Sequence, residues 1–309
     1  MLLNSKIVYT RQPQTHVQID QSHSLAKKLS FDLMGSSEYV ETLSNVRATS
    51  TTGASLLPTN NAIGYKVTQS AGNCIYYSTL QSINSYPFSI LIVADTIAEA
   101  NRKFVFQNGQ NNSSPAARVW VLINGTATAG SHSDASGKLY LYTIDTSLNQ
   151  NSPAAGGINN AIVSGVNHYG ITCDGTTTTY YRNGILLGTE SPTNTNNVWD
   201  SSGIVSIGGR SPALSNTRTY DRSLLHVRVW NGRLLTASDF IEQYKNLYGL
   251  YNKKNLFLFN STSNANTYTL SPGGTLTFSG SSTELKTKVL QPGGTITFSD
   301  TNVLIKTKI

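Results

Sequence analysis

The sequence predicts an all-β protein, and three observations indicate that class. Charged residues make up 13% of the 309 residues, about half of their share in an ordinary soluble domain. Sixteen tyrosines, together with many threonines, favour strands over helices. Short apolar runs alternate with clusters of Gly, Asn, Ser and Asp, as in proteins built from strands and tight turns. We therefore expect an antiparallel β-sandwich of the jelly-roll type, with one short C-terminal helix and a small β-repeat tail.

Three parts are expected along the chain. Residues 1–30 are polar and irregular, which predicts an N-terminal arm. Residues 31–250 carry the strand-like runs and form the expected sandwich. Residues 251–309 are predicted to be a linker followed by two 20-residue β repeats.

Nine runs between residues 88 and 230 have the composition of strands. They are 88–94, 103–107, 118–123, 138–144, 167–173, 178–182, 185–188, 203–207 and 224–230. Two strong turn dipeptides, Asp174-Gly175 and Asn183-Gly184, separate three of these runs and predict consecutive hairpins. We expect Asn183 and Gly184 to take the two positive-φ positions of a type I′ turn.

One helix is expected near the end of the sandwich. Thr236 can cap its N-terminus, Asp239 lies in its first turn, and Gly249 follows as a stop. Five apolar residues recur between them at helical spacing. They are Phe240, Ile241, Tyr244, Leu247 and Tyr248. This apolar stripe is expected to pack on the edge of the sandwich, and contact with a partner protein is the alternative.

The tail contains an internal repeat. Residues 270–279 are matched by residues 290–299, and residues 285–289 by residues 305–309, always twenty positions later. Each unit is predicted to form a Pro-Gly-Gly turn, an alternating strand, a polar turn and a second alternating strand.

Four apolar residues of the repeat are expected to be assembly contacts. Leu276 and Phe278 correspond to Ile296 and Phe298, and their alternation leaves one face of each strand to be covered. Two units are too few to enclose a core of their own. A homo-oligomer, with a trimer as the first expectation, the sandwich itself or a larger assembly would cover that face.

Four segments of the sandwich resemble one known family. Residues 168–188 resemble the hairpin of laminin-G-like, concanavalin-A-like domains, and Ser206-Ile207-Gly208-Gly209 resembles a later strand of that family. Residues 224–235 are similar to its closing strand, and residues 236–249 to the helix that commonly follows. The resemblance covers residues 30–250 and implies a lectin-type jelly roll.

Two further segments resemble bacteriophage versions of this family. The opening Thr10-Arg11-Gln12-Pro13-Gln14 is similar to the lead-in of such domains, and the Pro-Gly-Gly-Thr-x-Thr-Phe-Ser repeats are similar to those at their C-termini. This resemblance implies a protein of the virion.

Charge and apolar content argue against nucleic acid and membranes as partners. The net charge is +7, yet no run of five basic residues exists, so nucleic acid is not an expected partner. No apolar run is long enough for a membrane span, and no secretory signal peptide is apparent, which predicts synthesis in the host cytoplasm. Cys74 and Cys173 are expected to be buried free thiols, with a disulfide between them left open.

No catalytic, cofactor or metal site is expected. None of the six glutamates belongs to a paired motif of the kind that glycosidases need. The five histidines are scattered, and His132-Ser133-Asp134 lies in a Gly/Ser-rich loop. Asp174 and Asp200 lie in predicted loops where related domains bind Ca²⁺, but the Asp-Gly turn explains Asp174 more simply.

Aromatic residues supply the candidate glycan contacts, which are Tyr180 and Trp199. Because side chains alternate along a strand, one of the adjacent Tyr180 and Tyr181 should be buried and the other exposed. Trp230 matches a core position of the closing strand. Ordinary packing of these rings is the favoured alternative.

The expected function is that of a non-enzymatic structural protein of a phage virion, as a capsid decoration protein or short head fibre. Its expected partners are further copies of itself and the phage capsid or other virion proteins. The alternative is a lectin-like module of a receptor-binding tail fibre or spike that binds cell-surface glycans. A depolymerase is a third hypothesis, weakened because no carboxylate pair is apparent.

Overall fold

The computed structural model describes residues 18–35, 37–58, 63–68, 70, 73–97, 103–109, 118–123, 137–144, 150–151, 157–191, 204–209, 219–251, 276–278 and 296–298. The chain divides into two compact units, Met1–Asn252 and Lys253–Ile309. Each unit is described by itself below.

The described residues of unit 1 form mainly strands, with one 3-10 turn near the start and one α-helix near the end. The strands are β1 (Leu29–Met34), β2 (Ala54–Pro58), β3 (Ile63–Val67), β4 (Ile75–Tyr77), β5 (Phe88–Thr96), β6 (Lys103–Asn108), β7 (Arg118–Ile123), β8 (Leu139–Ile144), β9 (Gln150–Asn151), β10 (Gly165–Cys173), β11 (Thr178–Arg182), β12 (Ile185–Glu190), β13 (Val205–Ile207) and β14 (Leu224–Asn231). The 3-10 turn is Ser24–Ala26, and the helix is α1 (Ala237–Lys245).

These strands form two sheets. The eight-stranded sheet has the order β12-β11-β10-β5-β14-β3-β2, and β1 also pairs with β14. The six-stranded sheet has the order β4-β13-β6-β7-β8-β9. The strand pairs of both sheets are antiparallel. The predicted all-β class is confirmed.

The main core lies between the two sheets. Phe31, Ile90 and Val227 of the eight-stranded sheet belong to the same buried cluster as Val105 and Val119 of the six-stranded sheet. Since each sheet contributes the inward-facing residues of its strands, unit 1 is a β-sandwich.

The predicted hairpins are present. β11 spans the predicted residues 178–182, and β10 and β12 extend the predicted runs by two residues each. Asn183 and Gly184 have φ values of 53° and 80°, as a type I′ turn requires. The side-chain oxygen of Asn183 also accepts the backbone N–H of His168 at 2.9 Å.

Helix α1 is shorter than predicted. Thr236 caps it with a reciprocal capping box to Asp239, but it ends at Lys245 rather than near Gly249. Asn246 has φ −145°, which leaves the helical region. Leu247 and Tyr248 are nevertheless buried, in the irregular segment that follows the helix.

The predicted arm of residues 1–30 is described from residue 18 onward, and this part is anchored on the sandwich, whereas residues 1–17 lie outside the described residues. Ile19, Leu25 and Ala26 are buried, and β1 begins at Leu29. The nine predicted runs did not include β1 to β4 or β9, which are two to six residues long.

A second hydrophobic cluster covers the outer face of the eight-stranded sheet. It contains Leu25 from the N-terminal segment, Trp230 of β14, Phe240 of α1, and Leu250 and Tyr251 from the segment after the helix. The apolar stripe of α1 therefore packs on the face of a sheet, in part as predicted, although Ile241 remains exposed.

Two strands are described in unit 2, β15 (Leu276–Phe278) and β16 (Ile296–Phe298). They form a parallel pair in which Leu276 lies opposite Ile296. The predicted second strands of the repeats, residues 285–289 and 305–309, lie outside the described residues.

Candidate functional site

Strand register places several ionisable residues on the covered outer face of the eight-stranded sheet. His226 of β14 and His168 of β10 lie on opposite sides of Val93 of β5. One row along, Asp32 of β1 lies beside Arg228 of β14. All four ionisable residues are buried.

Asp32 is the centre of this buried network. Its Oδ1 atom accepts Arg228 Nε at 2.7 Å and lies 2.7 Å from His226 Nε2. Its Oδ2 atom accepts the Tyr251 hydroxyl at 2.7 Å. Both carboxylate oxygens therefore have partners, as a buried charge requires.

Arg228 connects the network to α1 and to the segment after it. Its Nη1 atom donates to the Leu247 carbonyl at 2.7 Å and to Gln243 Oε1. The guanidinium carbon lies 5.2 Å from the centre of the Tyr251 ring, a cation–π distance. Its Nη2 atom has no hydrogen-bond partner among the described residues.

The electrostatics assign the charges of the network. Burial alone would raise the pKa of Asp32, but Arg228, His226 and Tyr251 beside it hold that pKa well below its ordinary value. Burial lowers the pKa of His226 to about 4, with Arg228 acting in the same direction and Asp32 opposing it. At pH 7 His226 is thus a neutral hydrogen-bond donor, and Arg228 is the cation that pairs with Asp32.

His168 is a different kind of buried histidine. Burial lowers its pKa to about 3, and His226 and Arg228 contribute in the same direction. Neither ring nitrogen has a hydrogen-bond partner among the described residues. Its ring lies edge-on to Tyr244 of α1, with centroids 5.1 Å apart.

The Asp32–His226 pair has the geometry of a catalytic dyad but not its access. Both side chains have 0% exposure, so a substrate does not reach them in this conformation. The network instead joins β1 and β14 to α1, Leu247 and Tyr251, so it holds the segment that follows β14 against the sheet. The sequence signal was the alternation of His226 and Arg228 with buried Val227 and Val229, which places two polar residues on one face.

An exposed surface lies on the same outer face, beside α1. The Tyr181 ring packs on Phe240 with centroids 4.8 Å apart and is half-buried. Leu186 lies opposite Tyr181 in the register and is 56% exposed. Thr179 and Thr189 pair directly and belong to the same face.

Two further apolar residues are exposed near the Asn183-Gly184 turn, Ile185 at 69% and Ile241 of α1 at 37%. Ile185 pairs with Arg182, so it lies on the opposite face of the hairpin from Tyr181 and Leu186, whereas Ile241 lies beside the turn. A Cβ atom added at Gly184 would lie 2.4 Å from Ile241 Cγ1, so the turn touches the helix. Tyr181 and Leu186 are directly paired, and exposed apolar groups with polar neighbours are a feature of binding surfaces. We call Thr179, Tyr181, Leu186 and Thr189 the hairpin surface.

Tyr180 is not a glycan contact, which corrects the sequence expectation. It has 0% exposure, and its hydroxyl accepts the Leu141 N–H at 3.0 Å and donates to Glu190. Alternation buried Tyr180 and left Tyr181 half-exposed, so the neighbouring residue is the candidate. Trp199, the second expected contact, lies outside the described residues.

Other predicted residues fall in structural roles. Trp230 is buried as expected, and its indole N–H donates to the Leu25 carbonyl at 2.6 Å. Cys74 and Cys173 are buried thiols with no disulfide between them, and burial raises the pKa of Cys74 to about 11. Asp174 accepts the N–H groups of residues 176 and 177 as a turn residue.

The expected assembly contacts are paired in the backbone of unit 2. Leu276 pairs with Ile296, and Phe278 pairs with Phe298. Among the residues that the structure describes, no group of three or more His, Cys, Asp or Glu side chains is arranged to hold a metal ion. None of the described helices is long and apolar enough to span a membrane.

Comparison with known proteins finds distant structural likeness only. No family model and no curated protein matches the sequence. Domain 4 of AbnA, an extracellular arabinanase from Geobacillus stearothermophilus solved with arabinotriose, is 13% identical with a TM-score of 0.44, covering 70% of this chain and 97% of that chain. The binding domain of Paraclostridial Mosquitocidal Protein 1 is 16% identical with a TM-score of 0.48, covering 72% of this chain and 53% of that chain.

A third structure is the ligand-binding domain of botulinum neurotoxin serotype D in complex with N-acetylneuraminic acid. It is 13% identical with a TM-score of 0.48, covering 71% of this chain and 51% of that chain. The chain thus spans about half the length of the last two structures. Likenesses this distant assign no ligand to this chain.

Proposed function

We propose that the chain is a non-enzymatic binding module of lectin type, and that the hairpin surface binds a glycan. The observation that carries this proposal is the half-exposed ring of Tyr181, held against Phe240 between the exposed Leu186 and the Thr179–Thr189 pair. A sugar presents an apolar C–H face and a rim of hydroxyls. An aromatic ring flanked by threonine hydroxyls matches both.

The surface is also rigid, which favours binding. Tyr181 is fixed by Phe240, and the adjoining turn is held by Asn183 and by contact with Ile241. A preformed surface loses little conformational entropy when it binds. The resemblance of residues 30–250 to laminin-G-like domains supports the same class of function.

The test compares the full chain with Tyr181→Ala on a glycan array, followed by titration calorimetry of the best ligand. Loss of the ring should weaken binding tenfold or more, and Thr179→Val should weaken it with the fold retained. Tyr76→Ala on the six-stranded sheet is the matched control, since Tyr76 is also half-buried, and its affinity should not change. Equal affinities of the Tyr181→Ala variant and the wild type would refute the hairpin surface as the site.

A role in a phage virion, as a capsid decoration protein, head fibre or receptor-binding fibre, is the second candidate. The repeat tail favours it, because in-register pairing of repeats is an assembly feature. Recovery of the chain with purified particles, without binding to any glycan, would favour this structural role over the lectin role. Sustained release of reducing ends from a polysaccharide would overturn both.

A further inference from the structure

The two strands of unit 2 are related by the sequence repeat itself. β15 and β16 pair in parallel and in register, so that Leu276, Thr277 and Phe278 lie opposite Ile296, Thr297 and Phe298. The offset of every pair is the twenty residues of the repeat. β16 is therefore β15 displaced sideways by one strand spacing.

This relation makes the two outer edges of the pair complementary. A strand has two hydrogen-bonding edges, and β16 occupies one edge of β15. Because β16 repeats β15, the outer edge of β16 has the same backbone pattern and nearly the same residues as the edge of β15 that is already filled. Within the described part of the chain, these two strands form a sheet of their own with no third strand.

We propose that the tail binds the tail of a second copy of this chain by strand addition, with β15 of one copy pairing in parallel and in register with β16 of the other. The repeat identifies the occupant, because the pairing to be formed is the pairing that each chain already makes internally. Open edges of this kind are templates for another strand. Pairing of the tails does not depend on glycan binding, because it involves only unit 2.

Strand addition by translation predicts a different assembly from the trimer expected at first. Translation is a head-to-tail contact that does not close into a ring. Each copy adds two strands, or roughly 10 Å of sheet, whereas a 250-residue unit has a radius of gyration of about 18 Å. Crowding of the sandwiches should therefore stop growth after a few copies, giving short concentration-dependent oligomers.

Cysteine cross-linking of the full chain tests the register. Thr277→Cys and Thr297→Cys are prepared as two separate proteins and treated with oxidant or a short bismaleimide, alone and mixed. The proposal expects covalent dimers only in the mixture, because position 297 of one copy lies opposite position 277 of the next. The wild type, whose Cys74 and Cys173 are buried, gives the background.

Sedimentation velocity supplies the second measurement. The wild type should form oligomers whose fraction rises with concentration. Thr297→Pro should remain monomeric because proline cannot donate to a strand ladder, and Thr297→Val should behave as the wild type. Covalent dimers of Thr277→Cys by itself would indicate a symmetric contact and overturn the proposal. A wild type that stays monomeric at about 100 μM, or oligomers without cross-links in the mixture, would overturn it as well.

Discussion

At the scale of single residues, positive φ and close approach coincide at Gly184. Its φ is +80°, and an added Cβ atom would lie 2.4 Å from Ile241 Cγ1 and 2.9 Å from the Ile241 backbone. The first feature was predictable, since Asn-Gly between two strand-like runs demands it. The second was not, because Ile241 lies far along the chain and its position depends on how α1 packs.

Gly184→Ala should therefore cost more stability than backbone strain alone. We expect a loss of about 2 kcal/mol or more in the free energy of unfolding, from strain at positive φ together with the clash against α1. Gly165→Ala is the matched control, because Gly165 has φ +98° but nothing within 4 Å of an added Cβ. Urea denaturation measures the free energy of unfolding that each variant loses. Equal losses would contradict the predicted clash, because they would show that α1 moves to accommodate the added methyl group.

At the scale of elements, the segments that cover the outer face of the eight-stranded sheet could not be predicted from neighbouring residues in the sequence. Residues 19–26 and residues 235–251 lie over β14 and its neighbours and bury an ionic network beneath them. Asp32 and Arg228 are separated by 196 positions in the chain, so no periodicity or motif could have paired them. Removing one partner of such a pair is costly, since it leaves a buried charge uncompensated.

The two buried histidines make this cover sensitive to acid. Their pKa values in the folded protein, about 3 for His168 and about 4 for His226, lie below the ordinary value of about 6.5. The unfolded chain therefore takes up protons first as the pH falls. The contribution of these residues to stability is complete above about pH 6.5 and is lost progressively toward pH 4 and below.

Replacing His168 by leucine removes one of the two buried histidines and so measures its share of the stability lost at acid pH. Its ring nitrogens have no partner among the described residues, so His168→Leu should retain or raise the free energy of unfolding at pH 7. Between pH 6.5 and pH 4 the variant should lose less stability than the wild type. Denaturation at several pH values measures both slopes, and their difference cancels the shared contribution of other groups. Parallel slopes would contradict the assignment of His168 as a buried neutral histidine.

At the scale of the whole molecule, the sandwich ends one or two residues later than the sequence indicated. The expected boundary after residue 250 would exclude Tyr251, which is buried and donates to Asp32. The division of the chain into units falls between Asn252 and Lys253. The two boundaries differ by only two residues, but a chain cut after residue 250 would lack the Tyr251 hydroxyl that donates to the buried Asp32 carboxylate.

Two truncations distinguish these boundaries. A chain that ends at residue 252 should fold with a melting temperature within a few degrees of the full chain, because both core clusters lie within residues 19–251. A chain that ends at residue 250 should lose about 3 kcal/mol or more, since Asp32 loses a hydrogen bond and the Tyr251 ring leaves its site. Thermal and urea unfolding of both chains would decide, and equal stabilities would show that Tyr251 is dispensable.

The sequence alone was sufficient for features that depend on neighbouring residues. The β class, the β10–β12 hairpins, the capped helix and the twenty-residue repeat all follow from turn chemistry, capping and alternation within short windows. Alternation also predicted that one of Tyr180 and Tyr181 would be buried, but not which one.

Only the tertiary structure decided which faces are covered and which residues meet across them. In the folded chain Tyr180 lies in the core, and Asp32 contacts Arg228 and His226. β15 pairs with β16 in parallel. The physical reason is that a side chain is buried only when a second surface covers the face on which it lies. A strand specifies its own two faces through its side-chain period, but the segment that covers each face comes from elsewhere in the chain.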